Sequence, residues 1–229
     1  MKKILATLLI ATAVYSNAAT VNWGAATDNG FSVGGADLAQ GNWARIGYFN
    51  LSDSQIQANA FNLSFLNSNF TEFASVQLGE GFGIDGHFSA SSNANPAALA
   101  GAVPNIVGQQ IYYWILSASA GNRGSVSVSL ANATAQGIYY VNKTQNSAWA
   151  FPSQTPVPGF TTTDITDLTN AAGTALATGA TVVVGGFGGE TSDATASPNF
   201  TLAPVPEPTS AFLIAVGAAG LMMRRRRQS

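Results

Sequence analysis

Two stretches of the chain carry opposite hydrophobic patterns. Residues 125–130, Ser-Val-Ser-Val-Ser-Leu, alternate strictly between polar and apolar, as a strand with one wet face does. Residues 111–116, Ile-Tyr-Tyr-Trp-Ile-Leu, are unbroken and β-branched or aromatic, which suits a central strand covered on both faces. Similar short runs recur at 44–50, 75–79, 86–91, 109–119, 137–143, 147–152 and 180–187, separated by clusters of Gly, Asn and Ser. Helical spacing interrupts them in a few places. Ser52 and Gln55 form a capping-box pair, and Ile56, Ala60 and Leu63 follow at helical intervals, so a helix is predicted over about 53–66. A second short helix is predicted near Thr71 to Phe73. A third is predicted within 161–173, with Thr163 or Asp164 near its start and Gly173 past its end. The segment 188–204 reads as an edge strand followed by a flexible approach to the C-terminus. No internal repeat and no interdomain linker appear before residue 200. Many short strands with few helices predict a mainly β fold, a single sandwich-like domain with one or two short helices.

The two ends depart from that pattern. Residues 1–18 run from Lys2 and Lys3 through an apolar stretch, Ile4 to Val14, to small and polar residues. That is the order of a secretory signal peptide, and Ser16 and Ala18 place cleavage after Ala18. Residues 205–229 hold Pro206-Glu207-Pro208, then an apolar run from Ala211 to Met223, then Arg224, Arg225, Arg226 and Arg227. The motif is extended and rigid. The segment 209–223 is predicted to be a transmembrane helix, although thirteen apolar residues span only about 20 Å against a hydrocarbon core of about 30 Å. The arginines would hold the C-terminus in the cytoplasm. What remains is one passenger domain, residues 19–204.

Composition sharpens this picture. Between residues 19 and 205 only Arg45, Arg123 and Lys143 are basic, against ten acidic residues, so the passenger carries a net charge of −7. Such a surface does not attract nucleic acid, which is bound by neutralising phosphates. The chain has no cysteine, so no disulfide, thiolate metal site or cysteine nucleophile is available.

The candidate chemistry is sparse. Gly81 to Gly86, Gly-Phe-Gly-Ile-Asp-Gly, matches the dinucleotide fingerprint in letters. The helix and the acidic residue about 20 positions on that the fingerprint requires are missing, so these are read as turn glycines. His87 is the sole histidine. Without a nucleophile-elbow motif beside it, it makes no triad and reads as a surface histidine on a strand. Glu80, Asp85 and His87 are close enough in sequence to hold a cation weakly. Glu72 with Glu80, or Asp164 with Asp167, would be the carboxylate pairs for glycoside hydrolysis. Trp23, Trp43, Tyr112, Tyr113, Trp114 and Trp149 are candidates for stacking on sugars, with core packing as the main reading. The Asn-x-Ser/Thr triplets at Asn62, Asn69 and Asn142 are read as composition. No residue is assigned a catalytic, metal or cofactor role.

Residues 205–229 resemble the PEP-CTERM sorting signal of Gram-negative bacteria, in the Pro206-Glu207-Pro208 motif, the apolar run, the basic cluster Arg224–Arg227 and the signal peptide at the other end. The resemblance implies processing by signal peptidase and then by an exosortase, a membrane peptidase acting near the motif. It also implies a transient inner-membrane tether and delivery to the cell surface or exopolysaccharide matrix. On this reading the passenger is a non-catalytic surface or matrix protein. The alternatives are a carbohydrate-active enzyme of glycoside hydrolase type, or an ice-binding protein, using the same tail.

Overall fold

A computed structural model describes residues 19–25, 29–94, 106–118, 130–152, 159–170, 175–188 and 199–206. The predicted signal peptide with its Ala18 junction, the alternating run before Leu130, Gly173, and the tail from Glu207 onward lie outside the described residues.

In chain order the strands are β1 (Ala19–Ala25), β2 (Phe31–Val33), β3 (Ala36–Asp37), β4 (Trp43–Phe49), β5 (Phe70–Gln77), β6 (Phe88–Ala94) and β7 (Tyr112–Ala118). They continue with β8 (Ala133–Val141), β9 (Phe160–Asp164), β10 (Ala180–Val184), β11 (Gly186–Phe187), β12 (Phe200–Thr201) and β13 (Ala203–Pro204). Helices α1 (Asp53–Ala58) and α2 (Leu63–Ser68) lie between β4 and β5. The fold is mainly β, as its patterning predicts.

The largest sheet runs β10-β8-β7-β4-β5, with β13 added to the edge of β8. The unbroken Ile-Tyr-Tyr-Trp-Ile-Leu run supplies its central strand, β7, and is buried on both faces as predicted. Alternate residues of β7 therefore enter different cores. Tyr113 and Ile115 face inward, against a three-stranded sheet (β6-β1-β9) and a small four-stranded one (β11-β12-β2-β3). Tyr112, Trp114 and Leu116 face the other way, under Ile56, Leu63 and Leu66 of the two helices. Three layers result: the smaller sheets, the large sheet, and the helices.

Four helix and strand expectations are corrected. The helix predicted over 53–66 is two helices, because asparagines end the first and begin the second. Asn59 donates its Nδ2 to the Gln55 carbonyl (2.9 Å), while the Asn62 side chain accepts from Phe65 N (3.1 Å) and caps α2. The Ser52–Gln55 capping box is present as read. Thr71 to Phe73 belong to β5 and not to a helix, being held in register against Tyr48 and Gly47. The 161–173 segment opens as β9, parallel to β1, and only Ile165–Leu168 form a 3-10 turn, capped by Asp164. Ser147–Trp149 form a 3-10 turn rather than a strand, with the Asn146 side chain capping Ala148 N at 3.1 Å.

The approach to the tail is corrected too. From Asn199 to Val205 it is stitched into the domain. Phe200 lies between β11 and β2, fully buried, while Ala203 and Pro204 pair with Gln136 and Ala135 of β8. Val205 N then donates to the Thr134 carbonyl at 2.8 Å. The Phe200 ring fills a notch where β8 carries Gly137, since a Cβ at that position would lie 2.1 Å from Phe200 Cε1.

Candidate functional site

The outward face of the three-stranded sheet carries a surface cleft. Strand alternation turns Val21, Trp23 and Ala25 of β1 into the core, leaving Asn22 and Gly24 facing out. The register then aligns Ser91, Asn22 and Thr162 in one row, and Ser89, Gly24 and Asp164 in the next. Hydroxyl, amide and carboxylate groups thus stand on three adjacent strands, spaced by the ~4.8 Å strand separation.

These residues line a cleft of about 450 Å³, with Phe82 on its wall. A second cleft of about 530 Å³ continues from the shared Thr162 toward Ala148, Phe151 and Pro152, and Phe160 lines it. Phe82 and Phe160 are 41% and 66% exposed, so a polar floor has an open aromatic ring in each of its two parts. Gly24 keeps the floor low: a Cβ there would approach Phe88 O to 3.0 Å and Asp164 Oδ2 to 3.3 Å. The cleft's depth therefore depends on a missing side chain.

Among the described residues Asp164 is the one carboxylate lining either cleft, and it is engaged. Its Oδ1 accepts from Thr166 N (2.9 Å), while Asp167 Oδ2 accepts from Asp164 N (3.1 Å) and from Trp149 Nε1 (2.8 Å). The Asp164–Asp167 pair is thus a reciprocal cap that also anchors an indole. Glu72, in the other pair, accepts from Arg45 Nε at 2.5 Å on the far side of the central sheet. Burial lowers the Arg45 pKa, and the neighbouring Glu72 carboxylate offsets part of that shift.

The remaining candidates fall into structural places. Gly81, Gly83 and Gly86 have φ of +85°, +69° and +75°, turn conformations rather than a phosphate-binding loop before a helix. His87 is buried, not on the surface; it precedes β6, and its ring packs against Gly30, where a Cβ would lie 3.1 Å from Nε2. Glu80 and Asp85 remain exposed on that turn, and among the described residues no three His, Asp or Glu side chains come together. Trp23, Trp43, Tyr112, Tyr113, Trp114 and Trp149 are all buried, so the ring surfaces open to a ligand at the clefts belong instead to Phe82 and Phe160. Sequence reasoning missed both. Phe82 lay inside a glycine motif read as a turn, and Phe160 stands at the start of an unrecognised strand. Asn62, Asn69 and Asn142 make local caps and turns.

Pro206 is described, at the edge of the fold; Glu207, Pro208 and Arg224–Arg227 are not. Comparison with curated proteins and with solved structures found no match. Residues 204–227, which contain Pro206-Glu207-Pro208 and Arg224–Arg227, match the PEP-CTERM protein-sorting motif, so the chain carries the mark of an exported protein targeted to an exosortase-type peptidase through a membrane-anchored intermediate.

Proposed function

We propose that the chain is an exported, non-catalytic protein of the cell surface or exopolysaccharide matrix, whose sandwich-like passenger holds neutral polysaccharide in the cleft of the three-stranded sheet. The sorting motif supports the destination: the signal peptide is removed after Ala18, Arg224–Arg227 stall the apolar segment in the inner membrane, and the exosortase acts near Pro206-Glu207-Pro208. The observation that carries the cleft is the polar ladder Ser91-Asn22-Thr162 with open Phe82 and Phe160 rings nearby. Hydroxyl and amide groups match a sugar's edge, and a flat ring matches its C–H face, a few polar groups on an otherwise apolar wall. A net charge of −7 repels anionic polymers, so a neutral glycan is the fitting class. Asp164, the carboxylate among the described residues of the clefts, is held in a cap rather than opposed to a second acid as glycoside hydrolysis requires. No cofactor, metal or nucleic acid enters this function.

Affinity electrophoresis of the processed protein in gels containing neutral or anionic matrix polysaccharides tests the reading. Retardation by a neutral polymer, abolished in the Phe82→Ala/Phe160→Ala double variant, is the expected result. Equal mobility in every gel would overturn glycan binding, and release of reducing sugar would overturn the non-catalytic assignment. Mass spectrometry of the mature C-terminus checks the route separately: it should lack Arg224–Arg227.

A further inference from the structure

We infer that the helix-covered side of the domain rests on the lipid surface in the membrane-anchored intermediate, with Phe61 as its contact. The inference rests on the tail being membrane-inserted.

The chain leaves the fold at a defined place. Val205 is bonded to Thr134 and packs with Ala203, Ala60, Phe65 and Leu130 against the core beneath the helices. From Pro206 to the apolar run at Ala211 there are five residue steps, at most about 18 Å of extended chain. The domain cannot stand far from a bilayer that holds the run, and the side nearest the exit must face it.

That side is built for the position. Gln136, the β8 residue paired with Ala203, also donates its side-chain amide to the Ala60 carbonyl. This fixes the turn between α1 and α2 beside the exit, and the next residue, Phe61, is 66% exposed. Among the described residues charge is nearly absent around it. Residues 130–142 and 199–206 have none, and between Asn50 and Asn69 there is only Asp53. Its carboxylate accepts from Tyr112 and Tyr140 hydroxyls at 3.2 and 2.7 Å. Arg45, on the same side of the sheet, is buried and paired with Glu72. In a domain with a net charge of −7, an uncharged face avoids repulsion by anionic lipid, and an exposed phenyl ring suits the headgroup boundary. The polysaccharide cleft lies across the central sheet and is thereby turned away from the membrane.

The chain has no cysteine, so an introduced one reports a single place. Phe61→Cys, Ser89→Cys and Leu221→Cys variants of the tail-bearing chain, each carrying an environment-sensitive fluorophore, are reconstituted into vesicles of phosphatidylethanolamine and phosphatidylglycerol containing nitroxide lipid. Position 61 is exposed and 89 borders a cleft, and intrinsic tryptophan emission checks that each variant is folded. Labels at 221 and 61 should be quenched several-fold more than the label at 89. Quenching at 221 with position 61 no more quenched than 89 overturns the inference alone. An unquenched label at 221 overturns the membrane reading of the tail, and the inference falls with it.

Discussion

The two sides of the central sheet are packed by different means. The inner side is ring against ring: Tyr113 and Tyr139 stack at 5.0 Å between centroids, and Phe200 closes on Tyr139 at 4.8 Å. The outer side has ring pairs too, Phe49 with Phe70 at 4.7 Å among them, but it also admits long polar side chains. Arg45 lies over Phe70 and Trp114, at 4.9 and 4.6 Å from the ring centroids, and Trp114 Nε1 donates to Gln136 at 2.8 Å. Sheets can cover a sheet continuously, and the polar ends of inner rings, such as the Tyr113 hydroxyl and the Trp149 indole, are met there by Thr163 and Asp167. Two six-residue helices cannot do so. Arg45 and Gln136 therefore cover part of the outer face with their stems while their head groups reach Glu72, Asn67 and Ala60.

If inner packing decides stability, Phe200→Ala should have the largest effect. It empties the Gly137 notch and should cost about 3–5 kcal/mol, read by urea unfolding of residues 19–206; a cost below that of an outer-side truncation such as Leu63→Ala would break the comparison. Next comes the alkaline limb of stability. Burial raises the pKa of Tyr113 and Tyr139 well above the usual value, and burial together with Asp53 raises those of Tyr112 and Tyr140. The folded state thus keeps phenolic protons that the unfolded chain releases above about pH 10. Stability from these groups is complete below that pH and is lost as pH rises past it, and tyrosinate absorbance should appear together with unfolding.

The stacked pair sharpens the contrast. The Tyr113 hydroxyl contacts Thr163 O and Oγ1 at 3.0 and 2.8 Å and accepts from Gly24 N at 3.2 Å, tying β7 to β9 and β1. Among the described residues the Tyr139 hydroxyl is buried without a partner. Tyr113→Phe should cost about 1–3 kcal/mol, whereas Tyr139→Phe should be neutral or stabilising. Equal costs in thermal melts would show that the hydroxyl network carries nothing. Smallest of all, Phe160→Ala should change stability by no more than about 0.5 kcal/mol, since its ring is exposed; any loss of polysaccharide retention in that variant then reports the cleft itself.

The sequence showed what is local. Ile111 to Leu116 read as a buried strand because every position is apolar, and Ser52 with Gln55 announced a helix start. The breaks at Asn59 and Asn146 went unread because asparagine caps compete with continuation through single side chains. Strands β1, β2, β3 and β9 were invisible, since Phe31–Val33 and Ala36–Asp37 are too short to show a period. Strand β9 takes its form from a partner about 140 residues earlier. The cleft inherits that limit: Asn22, Ser91 and Thr162 become neighbours only through register. The tail motif was legible because all its parts are contiguous.

Strand β12 also has a consequence for timing. Phe200 aligns in parallel with Phe31, and Gly30 N donates to Asn199 Oδ1 across 169 residues of chain. Closure across so long a separation is kinetically slow. It is also impossible until residue 200 has been synthesised, after every other buried ring of the inner core. A nascent chain therefore lacks the ring that fills the Gly137 notch until that point. If the chain crosses a membrane before that point, it crosses with its inner core incomplete, and strand β12 is then added on the far side.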